Sequence, residues 1–139
     1  MDTDGSAPPQ ITLEQVSADK DGVLECWIMG WRLTNVEVNP IQLLSVRLPH
    51  GQFKSPEHRF EPAIELEPGD KTEFKRPVQC NEPAGLVTEN AFVILAANWL
   101  GEPWRLFVRI RVTVAADGRP QTTAESVTTQ RVGFSGVTE

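Results

Sequence analysis

Residues 104–112 read WRLFVRIRV, and the strict alternation in this stretch decides the fold prediction. Six apolar residues from Trp104 to Val114 occupy every second position, while the opposite parity holds Arg105, Phe107, Arg109, Arg111 and Thr113. Successive side chains of a β-strand point to opposite faces, so the pattern predicts a strand with one apolar face and one arginine-rich face. Each apolar side chain contributes about 1.5–3 kcal/mol when fully buried. A slip of one residue would expose all six, so the register is well specified.

Similar short runs, separated by turn residues, extend on both sides of this stretch. They cover residues 10–18, 22–35, 40–48, 63–66, 71–80, 91–100, 103–115 and 122–134. In the second run, Trp27, Met29, Trp31 and Leu33 share one parity, and no segment has a convincing helical period. Tight connections are expected at residues 21–22, 101–103 and 117–118, where short links force antiparallel neighbours. The sequence therefore predicts an all-β sandwich or barrel of seven to eight antiparallel strands.

Length and composition limit the number of domains and the classes of partner. A chain of 139 residues suits one domain, expected over 10–134, with a flexible N-terminal tail at 1–9 and a C-terminal tail at 135–139. The formal net charge of −6 argues against nucleic acid as a partner. No apolar run reaches the length of a membrane span, and the first ten residues lack the apolar core of a signal peptide. We therefore expect no membrane partner and a cytoplasmic location.

The two cysteines, Cys26 and Cys80, are too few and too far apart for a metal motif. In a chain without a secretory signal they are expected to be reduced and buried. A disulfide between them stays open as an alternative, because their separation would suit a link across two sheets.

The order of several short motifs resembles bacterial immunoglobulin-like β-sandwich domains. The motifs are WRLTN at 31–35, a strand ending in RLP at 47–49, and LEPGDKTEFKRPV at 66–78, with looser continuation to residue 115. The resemblance implies an immunoglobulin-like sandwich. Domains of this kind are mostly adhesive, appended or scaffolding modules without shared catalytic residues, so the resemblance transfers no site.

The arginines provide the candidate binding site. Arg105, Phe107, Arg109 and Arg111 share the outward parity of their strand, and Arg32 has the same parity on the second run. If the two strands lie in one sheet, these groups would form a basic strip that binds an acidic protein or a small carboxylate- or phosphate-bearing ligand. Two structural alternatives remain: pairing with carboxylates such as Glu73 and Glu125, or protection of a sheet edge.

Two other sets of residues suggest alternative functions. Trp99 lies near a hairpin tip, where one exposed face would suit a carbohydrate or another small ligand. His50 and His58, with Glu57 and Glu61, occur in a stretch expected to be a loop and would be needed for a metal-dependent hydrolase. The leading hypothesis is a non-enzymatic interaction or accessory module without cofactor, metal or catalytic residues, which works through a protein partner or self-association.

Overall fold

The computed structural model of the protein describes residues 9–22 and 25–132, and the regular secondary structure of these ranges is β-strand. The eight strands are β1 (Ile11–Lys20), β2 (Cys26–Asn35), β3 (Ile41–His50), β4 (Phe53–Leu66), β5 (Lys71–Cys80), β6 (Val87–Trp99), β7 (Glu102–Val114) and β8 (Pro120–Arg131). All pairings between them are antiparallel. The prediction of an antiparallel all-β domain with about eight strands is confirmed.

The interior is filled by the residues that the two-residue periodicity assigned to it. Every apolar residue of the inward parity of β7 is buried, and so are the four inward residues of β2. Trp31, Leu106 and Ile110 are each at most 1% exposed. The tight turns also occur as predicted, since Gly22 and Gly118 have φ of 85° and 87°, a region that glycine enters without steric cost.

The eight strands form one continuous sheet in the order β1-β2-β5-β4-β3-β6-β7-β8. Its narrowest connection lies between β4 and β5, where only Phe53 with Cys80 and Lys54 with Gln79 are paired. The sheet is nearly closed and barrel-like, and it is not clearly divided into the two packed sheets that a sandwich requires.

Side chains join the two outer strands and bring the sheet close to a closed barrel. The Gln15 amide donates to the Pro120 carbonyl at 3.2 Å, and its Oε1 accepts from the backbone N–H of Thr122 at 2.7 Å and from the Thr122 hydroxyl at 2.8 Å. The Arg119 guanidinium donates to the Ala18 carbonyl. No backbone ladder pairs β1 with β8 among the described residues, so these side-chain bonds carry the closure.

The stretch 53–62 was expected to belong to an irregular loop, and this prediction is wrong. These residues form the first part of β4, with Phe53 and Ser55 pointing inward at 1% and 4% exposure. Pro56 and Pro62 hide the strand signal, because proline is rare in paired strands. Here the β5-facing edge of β4 lacks a ladder beyond Lys54, so the strand tolerates prolines.

Asn35 connects two of the three motifs on which the family resemblance depends, WRLTN and LEPGDKTEFKRPV. Its amide donates to the carbonyls of Asn39 and Leu66, both at 3.0 Å, and its Oδ1 accepts from the N–H of Glu37 at 2.8 Å. The Gly69 N–H donates to the Asn35 carbonyl at 2.8 Å. A buried side chain therefore holds the end of β2 against the turn between β4 and β5.

The expected tails, 1–9 and 135–139, lie outside the described residues except for Pro9, which is buried. No helix in the described ranges is long and apolar enough to cross a bilayer.

Candidate functional site

The outward residues of β7 lie where the alternation predicted. Arg105 and Arg111 are exposed, and Phe107 and Arg109 are partly exposed on the same outer face. Sequence reasoning treated these residues as one strip, but their partners divide them into two groups.

Arg111 belongs to a local ion-pair network. Its Nε lies 3.2 Å from a carboxylate oxygen of Glu89, and its Nη2 lies 3.4 Å from one of Glu125. This is the carboxylate pairing that the sequence offered as an alternative to binding. Exposed pairs of this kind contribute at most about 1 kcal/mol, so Arg111 mainly balances surface charge.

Arg32 is paired and lies apart from the β7 arginines. Its Nη2 and Nε donate to one carboxylate oxygen of Glu73 at 2.8 and 3.1 Å, and Glu14 lies 3.5 Å away. The hydrogen bond that Arg32 donates to Glu73 raises the pKa of Arg32. Although β2 and β7 share one sheet, they are not neighbours: β8 and β1 separate them across the closure, and four strands separate them the other way. Arg32 therefore does not extend the strip.

Arg47 of β3, which sequence reasoning missed, takes the place that Arg32 was expected to fill. Arg47 is opposite Ile94 of β6, and Ile94 is opposite Phe107 of β7, so the three side chains form one row across the outer face. A register shift between Leu43 and Ser45 reverses the parity within β3. The alternation in the sequence therefore gave no clean signal for Arg47.

A cavity of about 390 Å³ lies between Arg47 and Arg105. Its remaining lining residues are Ser45, Glu57, Ile94 and Ala96. Ser45 and Ile94 are buried at 5% and 8% exposure although they belong to the outer face, so the surface is concave here. Two guanidinium groups at the rim of a concave site match a carboxylate or phosphate group in geometry and charge.

Three of the nine arginines stand out because they lack acidic partners on this face. Arg47, Arg105 and Arg109 each lie more than 4 Å from every carboxylate oxygen in the described ranges, as does Arg76 on β5. Arg109 donates only to the Asn90 amide oxygen at 3.3 Å, and its buried Nε finds no partner in the described chain. The other five arginines each pair with at least one Asp or Glu.

Apolar side chains lie between these three arginines. The rings of Phe92 and Phe107 meet edge to face with centroids 6.5 Å apart, beside Ile94. We call the surface formed by Arg47, Phe92, Ile94, Arg105, Phe107 and Arg109 the arginine face. A part-apolar centre with guanidinium groups around it is typical of protein interaction surfaces.

The prediction that Trp99 is exposed is wrong. Trp99 is 5% exposed and packs edge to face against Trp104, with ring centroids 5.8 Å apart. Trp99 is the last residue of β6 before the hairpin turn, as expected, but the inward parity of Ala91, Val93 and Leu95 continues to it, so its ring points into the core.

The histidines do not form a site with the nearby glutamates. His50 ends β3, whereas His58 lies within β4 and packs edge to face against Phe60 at 5.5 Å. Glu61 pairs with Arg59 at 3.7 Å. In residues 9–22 and 25–132, no three His, Cys, Asp or Glu side chains come together as a metal site would require.

Cys26 and Cys80 are both free thiols. Burial raises the pKa of each, and for Cys26 a hydrogen bond with Asp21 adds to the effect. A thiol with a raised pKa is a poor nucleophile at neutral pH, so neither cysteine is activated for catalysis.

No protein-family model matches the chain, and no curated protein matches it.

Proposed function

We propose that this domain is a non-enzymatic interaction module that binds an acidic segment of a partner protein through the arginine face. One observation carries the proposal: Arg47, Arg105 and Arg109 have no carboxylate within 4 Å in the described chain and surround an apolar centre. The whole chain has a formal net charge of −6, with 19 acidic residues available for pairing. Arginines left unpaired in such a chain have guanidinium groups free to bind an external anion.

The chemistry of the face favours a protein segment over a simple anion. Guanidinium groups form paired hydrogen bonds with carboxylates, and bonds to charged groups are worth about 1.5–3 kcal/mol. Phe92, Ile94 and Phe107 offer an apolar contact that a small anion would leave unused. An acidic segment that carries one apolar side chain would use both properties.

We also propose that the domain is immunoglobulin-like. If the sheet is divided where β4 and β5 share only two residue pairs, β1-β2-β5 would form one antiparallel layer and β4-β3-β6-β7-β8 the other, as a sandwich requires. The buried Asn35 bonds to Leu66 and Gly69 support the assignment, because they join two of the motifs that suggested it. A crystal structure with the two layers about 10 Å apart would support this proposal, and a round barrel cross-section would refute it.

The alternative functions lose their structural basis. All four tryptophans are at most 8% exposed, so none offers a stacking platform for a sugar. The histidines lie on separate strands without a third metal ligand in the described chain.

The test uses two double variants of equal charge change. Arg47→Ser/Arg105→Ser removes two unpaired arginines, whereas Arg32→Ser/Arg111→Ser removes two that pair with Glu73, Glu14, Glu89 and Glu125. Each removes two positive charges, so the formal net charge changes from −6 to −8 in both. Non-specific electrostatic effects are therefore matched.

The probe is a fluorescein-labelled dodecapeptide with three glutamates and one phenylalanine in a serine background, followed by fluorescence anisotropy. We expect Arg47→Ser/Arg105→Ser to weaken binding at least tenfold, about 1.4 kcal/mol, with an unchanged melting temperature. The paired-arginine variant should bind within about twofold of the unaltered chain. Equal losses in the two variants, or no loss in the first, would refute the proposal.

A further inference from the structure

The narrow connection between β4 and β5 leaves an opening in the sheet. The two strands separate beyond Lys54 and Gln79, and the rings of Phe60 and Phe74 bridge them again farther along at 5.7 Å. Between the Lys54–Gln79 pair and the Phe60–Phe74 contact, the facing edges of β4 and β5 have no hydrogen-bonded neighbour. The gap between these edges is a place where a side chain of another molecule can enter the sheet.

A cavity of about 500 Å³ lies at this opening. Its apolar lining includes Leu48, Pro49, Pro56 and Pro77. Ser55 also lines it, is 4% exposed, and has a hydroxyl without a hydrogen-bond partner in the described residues. Buried hydroxyls nearly always have a partner, so this one can bond a polar group that enters the cavity.

The cavity at the opening is adjacent to the cavity of the arginine face. Arg47 and Glu57 line both cavities and form the border between them. Lys54 lines the opening and has no carboxylate within 4 Å in the described chain. With Arg105 at the far end, three cations and one anion line the combined groove, which is complementary to a segment with one or two carboxylates.

We infer that an extended segment of the partner lies across the strands in this groove, with an apolar side chain in the β4–β5 opening and a carboxylate between Arg47 and Arg105. This inference rests on the proposed function and specifies the segment that the arginine face selects. The Ser55 hydroxyl bonds a backbone group of the segment. Glu57 accepts a backbone N–H at the border and repels a dense run of acidic residues.

Strand spacing fixes the separation of the two side chains in the segment. The carboxylate site lies over β6, and the opening lies two and a half strand intervals away, past β3 and β4. At about 4.8 Å per interval this distance is about 12 Å, which an extended chain spans in about three or four residues. The segment therefore has an apolar residue three or four positions from an acidic one.

The experiment is a series of labelled dodecapeptides, each with one leucine and a pair of adjacent glutamates in a serine background. The separation between leucine and the nearer glutamate runs from one to seven, and a leucine-free peptide sets the baseline. We expect separations of three and four to bind at least fivefold more tightly than separations of one and seven. Affinity that does not depend on separation would overturn the inference.

A blocking variant tests the same point from the protein side. Gln79 is exposed and lines the opening, so Gln79→Trp covers it, while Gln121→Trp on β8 places the same ring at an exposed strand position outside the groove. Gln79→Trp should remove the preference for separations of three and four and leave the leucine-free peptide unaffected, and Gln121→Trp should change neither. If Gln79→Trp fails to fold, the series on the unaltered chain decides alone.

Failure of this inference is distinguishable from failure of the proposed function. If the leucine-free peptide still requires Arg47 and Arg105 but separation has no effect, the arginine face stands and the groove assignment is wrong. If Arg47→Ser/Arg105→Ser leaves the affinity for every peptide unchanged, the proposed function itself is wrong.

Discussion

Replacement of Gln15 by alanine tests the closure of the sheet. The Gln15 side chain makes three hydrogen bonds across the gap between β1 and β8, one to the Pro120 carbonyl and two with Thr122. Thr122 also accepts a hydrogen bond from the indole N–H of Trp31 at 3.3 Å. Gln15→Ala therefore leaves a part-buried backbone N–H and a hydroxyl without their acceptor.

The expected cost follows from the number of bonds lost. A net contribution of about 0.5–1.5 kcal/mol for each bond gives a loss of about 2–3 kcal/mol for this part-exposed site. Unfolding entropy near 2.1 cal/mol/K per residue, over 139 residues, converts this loss into a fall in melting temperature of about 7–10 °C. Gln15→Glu keeps the acceptor for Thr122 and loses the donor to Pro120, so its loss should be smaller.

Urea and thermal unfolding, followed by tryptophan fluorescence, measure this effect. Gln121→Ala is the matched control, because Gln121 is exposed on β8 and makes no side-chain bond in the described structure. The control should stay within about 0.5 kcal/mol of the unaltered chain. If Gln15→Ala falls in the same range, side-chain bonds do not close the sheet.

Three further predictions concern buried polar groups. Asn35→Ala removes three side-chain bonds at a site with 0% exposure and should cost about 3–4 kcal/mol in urea unfolding; a loss under 1 kcal/mol would contradict the role given to this side chain. Desolvation lowers the pKa of Arg76, and its buried Nε has no partner in the described chain. Because a buried charge without a partner destabilises the folded state, Arg76→Met should raise the melting temperature. A fall in the melting temperature would show that the charge of Arg76 is needed. Burial raises the pKa of the Cys26 and Cys80 thiols, so their contribution to stability is complete below about pH 8.5 and is lost as pH rises through their folded-state pKa values. Iodoacetamide should accordingly alkylate the folded chain more slowly than the urea-unfolded chain at pH 8.5, and equal rates would rule this out.

Local periodicity was sufficient to predict the strands with a clear alternation. The inward and outward faces of β7 follow directly from WRLFVRIRV, because each side chain's face depends only on its position along the strand. The turns that join β1 to β2 and β7 to β8 could also be predicted, because a turn residue with a positive φ is usually glycine.

Features that depend on distant parts of the chain could not be read in the same way. The order of strands in the sheet separates Arg32 from β7, and no local pattern encodes that order. The register shift in β3 broke the alternation that would have marked Arg47 as outward, and Pro56 and Pro62 made the first half of β4 resemble a loop. Binding surfaces collect residues from several strands, so the outward residues of β7 were predictable and their true neighbours were not.

An NMR titration of the ¹⁵N-labelled protein with the glutamate and phenylalanine dodecapeptide shows whether the arginine face is the binding surface. We expect saturable shifts that are largest for amides of Arg47, residues 92–96 and residues 105–109, and that decline as salt is raised from 50 to about 300 mM. Largest shifts on β1 and β2, around the paired Arg32, would contradict it.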